Sequence, residues 1–272
     1  MVKLHMLKSV INSINTSFIF QTEDALVVID GGRPEEAENL HAQIMELGGT
    51  VDAWFLTHAH DDHISALFTI LNTYDDIVVK KAYFNFPSAQ YLAIGEPKQA
   101  FMTTPELVDT LYTALDSRGV ERVTTMRGDK YSIGGLDITV LLHPDESIPA
   151  THINRTSCVF RFEVNGKSLL FLGDLDEAGG RELLEVNPPE LIKSDYVQMA
   201  HHGQAGVDFD VYRVIMPSHC LWCTPTWLWD NMGEGGYDTG PFKTVVVRGW
   251  MSSLRSVKKH YLMMEGPHVI EL

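Results

Sequence analysis

Phe55-Leu56-Thr57-His58-Ala59-His60-Asp61-Asp62-His63-Ile64 is the stretch that decides what this chain can be. It packs His58, His60, Asp62 and His63 into six residues, between an apolar run at 51–56 and a stretch of helical character from Ile64. Three imidazoles and a carboxylate this close cannot all enter a hydrophobic core, because their desolvation would go uncompensated. Divalent cations such as Zn²⁺ take this mixture of nitrogen and oxygen donors. The spacing H-x-H-x-D-H at a strand end therefore reads as a metal site rather than a polar loop.

Outward from that string, one pattern recurs: polar ligand types directly after an apolar strand. It appears at Asp30, at 58–63, at Asp174 and at His201-His202. Strand ends on one sheet edge converge, so the four places can meet in one cleft. His58 and His60 alternate by two and point the same way along extended chain. Asp62 and His63 lie past a bend and can face a second ion. Asp174 can bridge two cations, and His202 adds a nitrogen.

The surrounding pattern predicts strands at 2–7, 16–21 and 25–30, then a helix opened by Pro34-Glu35-Glu36 and closed by Gly48-Gly49. Leu40, Ile44 and Leu47 fall on one face of that helix. Further strands are expected at 51–56, 77–84, 120–125, 131–133, 137–142, 157–164, 167–172 and 196–200. Asn165-Gly166 is a two-residue hairpin turn. Helices are expected at 104–118 and 178–186, irregular chain at 85–103, and a closing strand pair around Glu265-Gly266-Pro267. No internal repeat, low-complexity tract or linker is legible, so residues 1–272 read as one domain. The alternation of strands and helices predicts a layered α/β architecture with helices outside packed sheets.

The 272 residues can bury one large core. With 44% hydrophobic and 21% charged residues the composition is that of a soluble globular protein. No stretch has the apolar length of a membrane span, and 1–10 lacks the apolar core of a secretory signal, so a cytoplasmic location is expected. Three cysteines cannot pair completely, which argues against a disulfide framework. A net charge of −15 disfavours broad nucleic-acid binding and favours a small-molecule substrate. Self-association into a homo-oligomer is left open.

Asp30-Gly31-Gly32, the 58–63 string, Leu172-Gly173-Asp174 and His201-His202-Gly203, in this order, resemble the metallo-β-lactamase superfamily of hydrolases. Arg127-Gly128-Asp129, Ile133-Gly134-Gly135-Leu136, Asn154 and Ser157 resemble one branch of it, which includes the hydrolase domain of bacterial DNA-uptake (competence) proteins and phosphorylcholine esterases. The resemblance covers residues 1–220 well and the rest loosely. It implies a four-layer αβ/βα sandwich and two divalent metal ions, Zn²⁺ first, with Mn or Fe as alternatives. By it His58 and His60 hold the first metal, Asp62 and His63 the second, Asp174 bridges, and His202 supplies the last ligand. His201 is then a second ligand or a group facing substrate, and Asp30 orients a ligand histidine. The chain departs from the pattern where many members have another histidine for the first metal. His143, His152 and Asn154 are the candidates there.

The chemistry implied is hydrolysis by a metal-bound hydroxide, with Asp62 both a ligand and a hydrogen-bond acceptor for it. A phosphodiester or phosphate-containing small molecule is the expected substrate. Hydrolysis of a carboxylic ester, thioester or lactam is the alternative, and an inactive metal-binding scaffold is another.

Weaker signals have blander readings. Cys220-x-x-Cys223 lacks a second such pair and reads as buried thiols. Phe86, Tyr91, Phe101, Trp222, Trp227, Trp229 and Trp250 read as core, subunit packing or substrate mouth, with Trp227-Leu228-Trp229 the best pocket candidate. His219 and His260 read as structural, and His5, His41 and His268 as surface or strand positions. Lys80-Lys81 and Arg255, Lys258 and Lys259 read as solvated faces, with Arg248 or Arg255 a candidate phosphate contact.

Overall fold

The computed structural model describes residues 1–94, 105–147 and 153–272. In chain order its strands are β1 (Lys3–Met6), β2 (Ser17–Gln21), β3 (Leu26–Asp30), β4 (Thr50–Val51), β5 (Ala53–Phe55), β6 (Val78–Val79), β7 (Lys81–Phe84) and β8 (Glu121–Thr124), followed by β9 (Lys130–Ile133), β10 (Leu136–Leu142), β11 (Val159–Val164), β12 (Lys167–Phe171), β13 (Tyr196–Gln198), β14 (His219–Trp222), β15 (Lys259–Leu262) and β16 (His268–Glu271). Its helices include α1 (Ala37–Glu46), α2 (Asp61–Thr73), α3 (Ala89–Ile94), α4 (Pro105–Ser117) and α5 (Glu177–Val186). Then come α6 (Pro189–Ile192), α7 (Phe209–Ile215), α8 (Thr226–Trp229) and α9 (Thr244–Ser253).

Among the described residues the long strands form two seven-stranded sheets, and β4 pairs with β6 separately. The first sheet has the order β16-β1-β2-β3-β5-β7-β8, the second β15-β14-β13-β12-β11-β10-β9. Each is antiparallel over one half and parallel over the other. In the first, β16 to β3 pair antiparallel and β3, β5, β7 and β8 parallel. In the second, β9 to β12 pair antiparallel and β12 to β15 parallel.

Side chains alternate across each strand, and both faces are apolar, so each sheet is buried on two sides. Val27, Ile29, Phe55, Phe160, Phe162 and Phe171 meet between the sheets. Val28 and Trp54 face the other way, onto Leu40, Ile44 and Leu67 of α1 and α2. Leu170 and Val197 face Leu183, Val211 and Ile215 of α5 and α7. The result is a four-layer helix–sheet–sheet–helix sandwich. Phe55 stacks on Tyr83 at 4.6 Å between centroids and meets Phe160 edge-on at 5.1 Å. Each fully buried ring of this kind contributes on the order of 2–3 kcal/mol by area alone.

Two expectations change. Part of the stretch read as irregular, at 89–94, is helical. The two strands flanking Glu265-Gly266-Pro267 do not pair: β15 joins β14 in the second sheet and β16 joins β1 in the first. A 3-10 turn over Met263–Glu265, with Met263 buried between the sheets, carries the chain across. No described helix is long and apolar enough to cross a membrane.

Candidate metal centre

Four strands, β3, β5, β12 and β13, deliver the polar groups. β3 and β5 are parallel neighbours in one sheet, and β12 and β13 are parallel neighbours in the other. The chain leaving each runs to the same edge of the sandwich. There the Cys158 amide donates to the Thr57 carbonyl at 2.8 Å, joining the two halves. Gly173 packs against this junction with φ +56°. A Cβ there would stand 2.8 Å from Thr57 Cβ and 3.0 Å from Ser157 Oγ, so both conformation and space require glycine.

The helix α2 begins earlier than the apolar spacing suggests. His60 is its N-cap in extended conformation, and Asp61 and Asp62 occupy the first turn, where acids complement the positive helix end. His58 and His60 therefore sit on extended chain, while Asp62 and His63 sit on a helix. Two donor groups result, each with its ligand-type atoms within 4.8 Å of one another: His58, His60 and Asp174; and Asp62, His63, Asp174 and His202. Asp174 is common to both. His63 Nε2 is 3.2 Å from Asp174 Oδ1, while His202 Nε2 is 3.3 Å from Asp174 Oδ2 and 3.0 Å from Asp62 Oδ2.

Behind these atoms lies a hydrogen-bonded backing. Asp30 Oδ1 accepts from the Thr57 amide at 2.8 Å, and Oδ2 accepts from the Thr57 hydroxyl at 2.8 Å. His63 Nδ1 lies 2.8 Å from the same Oδ2, which turns its Nε2 toward Asp174. On the other side Gln198 accepts from the Leu172 amide and donates to the carbonyls of Gly173 and Met199. The Asp174 amide donates to Ser157 Oγ. His201 and His202 both have left-handed backbone, φ 50° and 55°, a conformation that costs energy in non-glycine residues and clusters at functional sites. Gly203 follows at φ +80°, where a Cβ would meet the Trp222 ring at 2.5 Å. The His202 carbonyl accepts from the Thr224 hydroxyl at 2.5 Å.

The residues fit divalent cations. Both oxygens of Asp62, Asp174 Oδ1, His63 Nε2 and both ring nitrogens of His202 are buried with no hydrogen-bond partner. They lie close together yet do not satisfy one another, which is costly unless something else binds them. Burial opposes charge on His202, but Asp174 and Asp62 outweigh it and raise its pKa to about 9. His63 is likewise raised despite burial, by Asp174, Asp30 and Asp62. Asp174 is buried too, yet His202, His63 and His201 hold it well below the usual carboxylate range. His60 has no such balance, and burial lowers it to about 4. Each metal-free carboxylate is thus matched by a proton on a neighbouring imidazole.

Of the other candidates, Asn154 and His201 sit at the rim of the first group. Asn154 Nδ2 is 3.2 Å from His201 Nε2, and that nitrogen is 3.8 Å from Asp174 Oδ2. His143 stands apart: its Nδ1 accepts from the Arg127 amide, and it belongs to neither donor group. His152 and Phe101 lie outside the described residues. Trp222 is core, edge-on to Trp229. Trp229 carries the Arg248 guanidinium over its ring at 4.1 Å, and Arg248 also donates to the Trp229 carbonyl, which occupies it. Trp227 donates to the Asn12 carbonyl. His260 accepts from the Trp222 indole, and the three cysteines are buried and free. Sequence reading passed over Thr57, Gln198 and the Arg33–Asp61 ion pair at 2.5 Å. Burial, together with Asp62, pushes Asp61 up to about 6. An arginine three residues after Asp30 and an extra acid inside the histidine string were the available signals for that pair.

Residues 11–258 match the family model described as the metallo-beta-lactamase superfamily. ComE operon protein 3 of Bacillus subtilis (strain 168) is 30% identical over 158 residues, 57% of this chain. The match covers 17% of that relative's length. Among solved structures, CmlA, a diiron beta-hydroxylase from Streptomyces venezuelae, aligns over 100% of this chain and 54% of its own, with a TM-score of 0.61 at 13% identity. The metallo-beta-lactamase fold protein YhfI from Bacillus subtilis aligns over 100% of both chains, with a TM-score of 0.58 at 12% identity. Igni18, a metallo hydrolase from the archaeon Ignicoccus hospitalis, does so with a TM-score of 0.54 at 12% identity. At these identities the likeness is one of fold.

Proposed function

We propose, from the premise that this chain belongs to the metallo-beta-lactamase superfamily, that it is a dinuclear metal-dependent hydrolase of a phosphodiester or phosphate-containing small molecule. One observation carries the reading: two groups of buried, unsatisfied donors share Asp174. In it His58, His60 and Asp174 hold the first ion, and Asp62, His63, Asp174 and His202 the second. Zn²⁺ suits the donor set best, with Mn²⁺ or Fe as alternatives. Two such ions lower the pKa of a water and polarise the bond to be cut.

The chain's own groups do the rest. Asp62, with neither oxygen hydrogen-bonded, orients the attacking water by accepting its proton. His201 Nδ1 donates to the Ala205 carbonyl at 3.3 Å, which leaves Nε2 as the atom that faces substrate and can hold a proton for the leaving group. The shared first metal position lacks a third imidazole, and Asn154, with its Oδ1 buried and unpartnered, is the neutral oxygen nearest to filling that role. Residues 1–272 act as one domain in this reading. The phosphate preference rests on the similarity to the competence-protein branch. The net charge of −15 supports a small substrate over a nucleic acid.

Assay of the Zn²⁺- and Mn²⁺-loaded protein on bis-p-nitrophenyl phosphate, a thioester and nitrocefin tests the reading. Turnover of the phosphodiester alone supports it. Turnover of the thioester or nitrocefin alone replaces it with carboxyl-group hydrolysis. Tight metal binding with no turnover of any of the three favours a scaffold.

A further inference from the structure

Thr57 is buried at the centre of the site, 1% exposed, and its hydroxyl reaches both donor groups. Oγ1 lies 2.8 Å from Asp30 Oδ2, 3.1 Å from His58 Nδ1 and 3.3 Å from His63 Nδ1. The proton count then fixes the tautomers. An ionised Asp30 only accepts, so the one hydroxyl proton of Thr57 goes to Asp30 Oδ2. Toward His58 the same oxygen can only accept, so His58 carries its proton on Nδ1 and turns the lone pair of Nε2 toward Asp174. His63 Nδ1, 2.8 Å from Asp30 Oδ2, likewise carries a proton and leaves Nε2 free.

We propose that Thr57 is a positioning residue that couples the two metal sites, through the continuous chain His58–Thr57–Asp30–His63. This rests on the two-ion reading above. The coupling is unequal, because His63 is backed by a carboxylate and His58 by a neutral hydroxyl. A carboxylate behind an imidazole raises its basicity more than a hydroxyl does. The second group also has two carboxylates, while the first has only the shared Asp174. The site at Asp62, His63, Asp174 and His202 therefore fills first. The site at His58 and His60 fills second, and it depends on the Thr57 oxygen.

Titration of the apoprotein with Co²⁺, read by ligand-field absorption and calorimetry, tests this without any substrate. Wild type takes up two equivalents in two separable steps. Thr57→Val keeps the shape and removes the hydroxyl, and it weakens the second step by roughly 10-fold or more, with a smaller loss in the first. Thr57→Ser restores both steps to within about 3-fold of wild type. Two unchanged steps in Thr57→Val overturn the proposal. So does a Thr57→Ser variant as weak as Thr57→Val, since packing of the methyl group would then be the cause. Thermal melting of the three apoproteins separates loss of fold from loss of binding. A protein that shows both steps yet cleaves no substrate leaves the Thr57 coupling standing and removes the hydrolase reading alone.

Discussion

His63 and His202 flank Asp174 and present the same atom to it, yet they are held by opposite means. His63 stands on the first turn of α2 and is aimed from behind: its Nδ1 meets Asp30, itself tied down by the amide and hydroxyl of Thr57. The Nδ1 of His202 is buried with no partner. His202 is aimed by its backbone, through a left-handed turn, a glycine pressed onto Trp222 and a carbonyl held by Thr224. One imidazole is oriented by a side-chain network, the other by strained main chain. The halves that carry them share one strand plan, antiparallel then parallel, so the difference lies in the loops and not in the topology.

The strongest way to break the comparison is to remove what both imidazoles face. Asp174→Asn takes a charge from both donor groups. It should abolish binding of at least one ion and lower turnover roughly 10²–10³-fold, by metal analysis and steady-state kinetics. Retention of two ions would mean that the groups do not share this residue.

A second measurement treats the two imidazoles alike. In the metal-free protein both are held protonated, His202 with a pKa of about 9 and His63 above its ordinary value. A folded-state pKa above the unfolded value gives stability that is complete below about pH 6.5 and is lost as pH rises through 9. The metal-free protein should therefore lose on the order of 3 kcal/mol for His202 between pH 6.5 and 10, read by denaturant melts. The metal-loaded protein should not. Metal uptake at pH 7 should release protons, measured by calorimetry in buffers of different ionisation enthalpy.

Two variants then separate the devices. Asp30→Asn removes the carboxylate behind His63 and should weaken the ion held by Asp62 and His63 about 10–100-fold, seen in chelator competition. Thr224→Val removes the donor to the His202 carbonyl. It should cost about 1 kcal/mol, a fall in Tm of roughly 2–4 °C, with a smaller effect on metal affinity. Equal effects of the two variants on metal affinity would erase the distinction between side-chain and backbone control.

The N-terminal half of the site was the more legible from sequence, for a physical reason. Its donors come from one strand-to-helix passage, so the H-x-H-x-D-H spacing alone brings the groups together. The C-terminal half places Asp174 and His202 on separate loops, and only the pairing of β12 with β13 joins them. Their role entered by resemblance. The four-layer architecture was readable because both faces of β3, β5 and β12 are apolar at a period of two. The fate of the last strands was not readable, because the residues around Gly266 have hairpin chemistry while burial of Met263 between the sheets decides the crossing. Thr57 and Gln198 were overlooked because a single buried threonine or glutamine leaves no pattern. Their importance lies in bonds to residues 27 and 25 positions away. The shared strand plan of the two sheets leaves no internal repeat in the sequence, since each strand asks only for apolar alternation.

The placement of β16 has a consequence for how the protein is made. This strand closes the outer edge of the first sheet against β1, although β15, six residues earlier, ends in the second sheet. During synthesis the β1 edge is complete in the first few residues but has no neighbour on that side until residues 268–271 emerge from the ribosome. An open row of amides and carbonyls of this kind invites pairing with other nascent chains. Chaperone dependence should accordingly persist to the last few residues of translation.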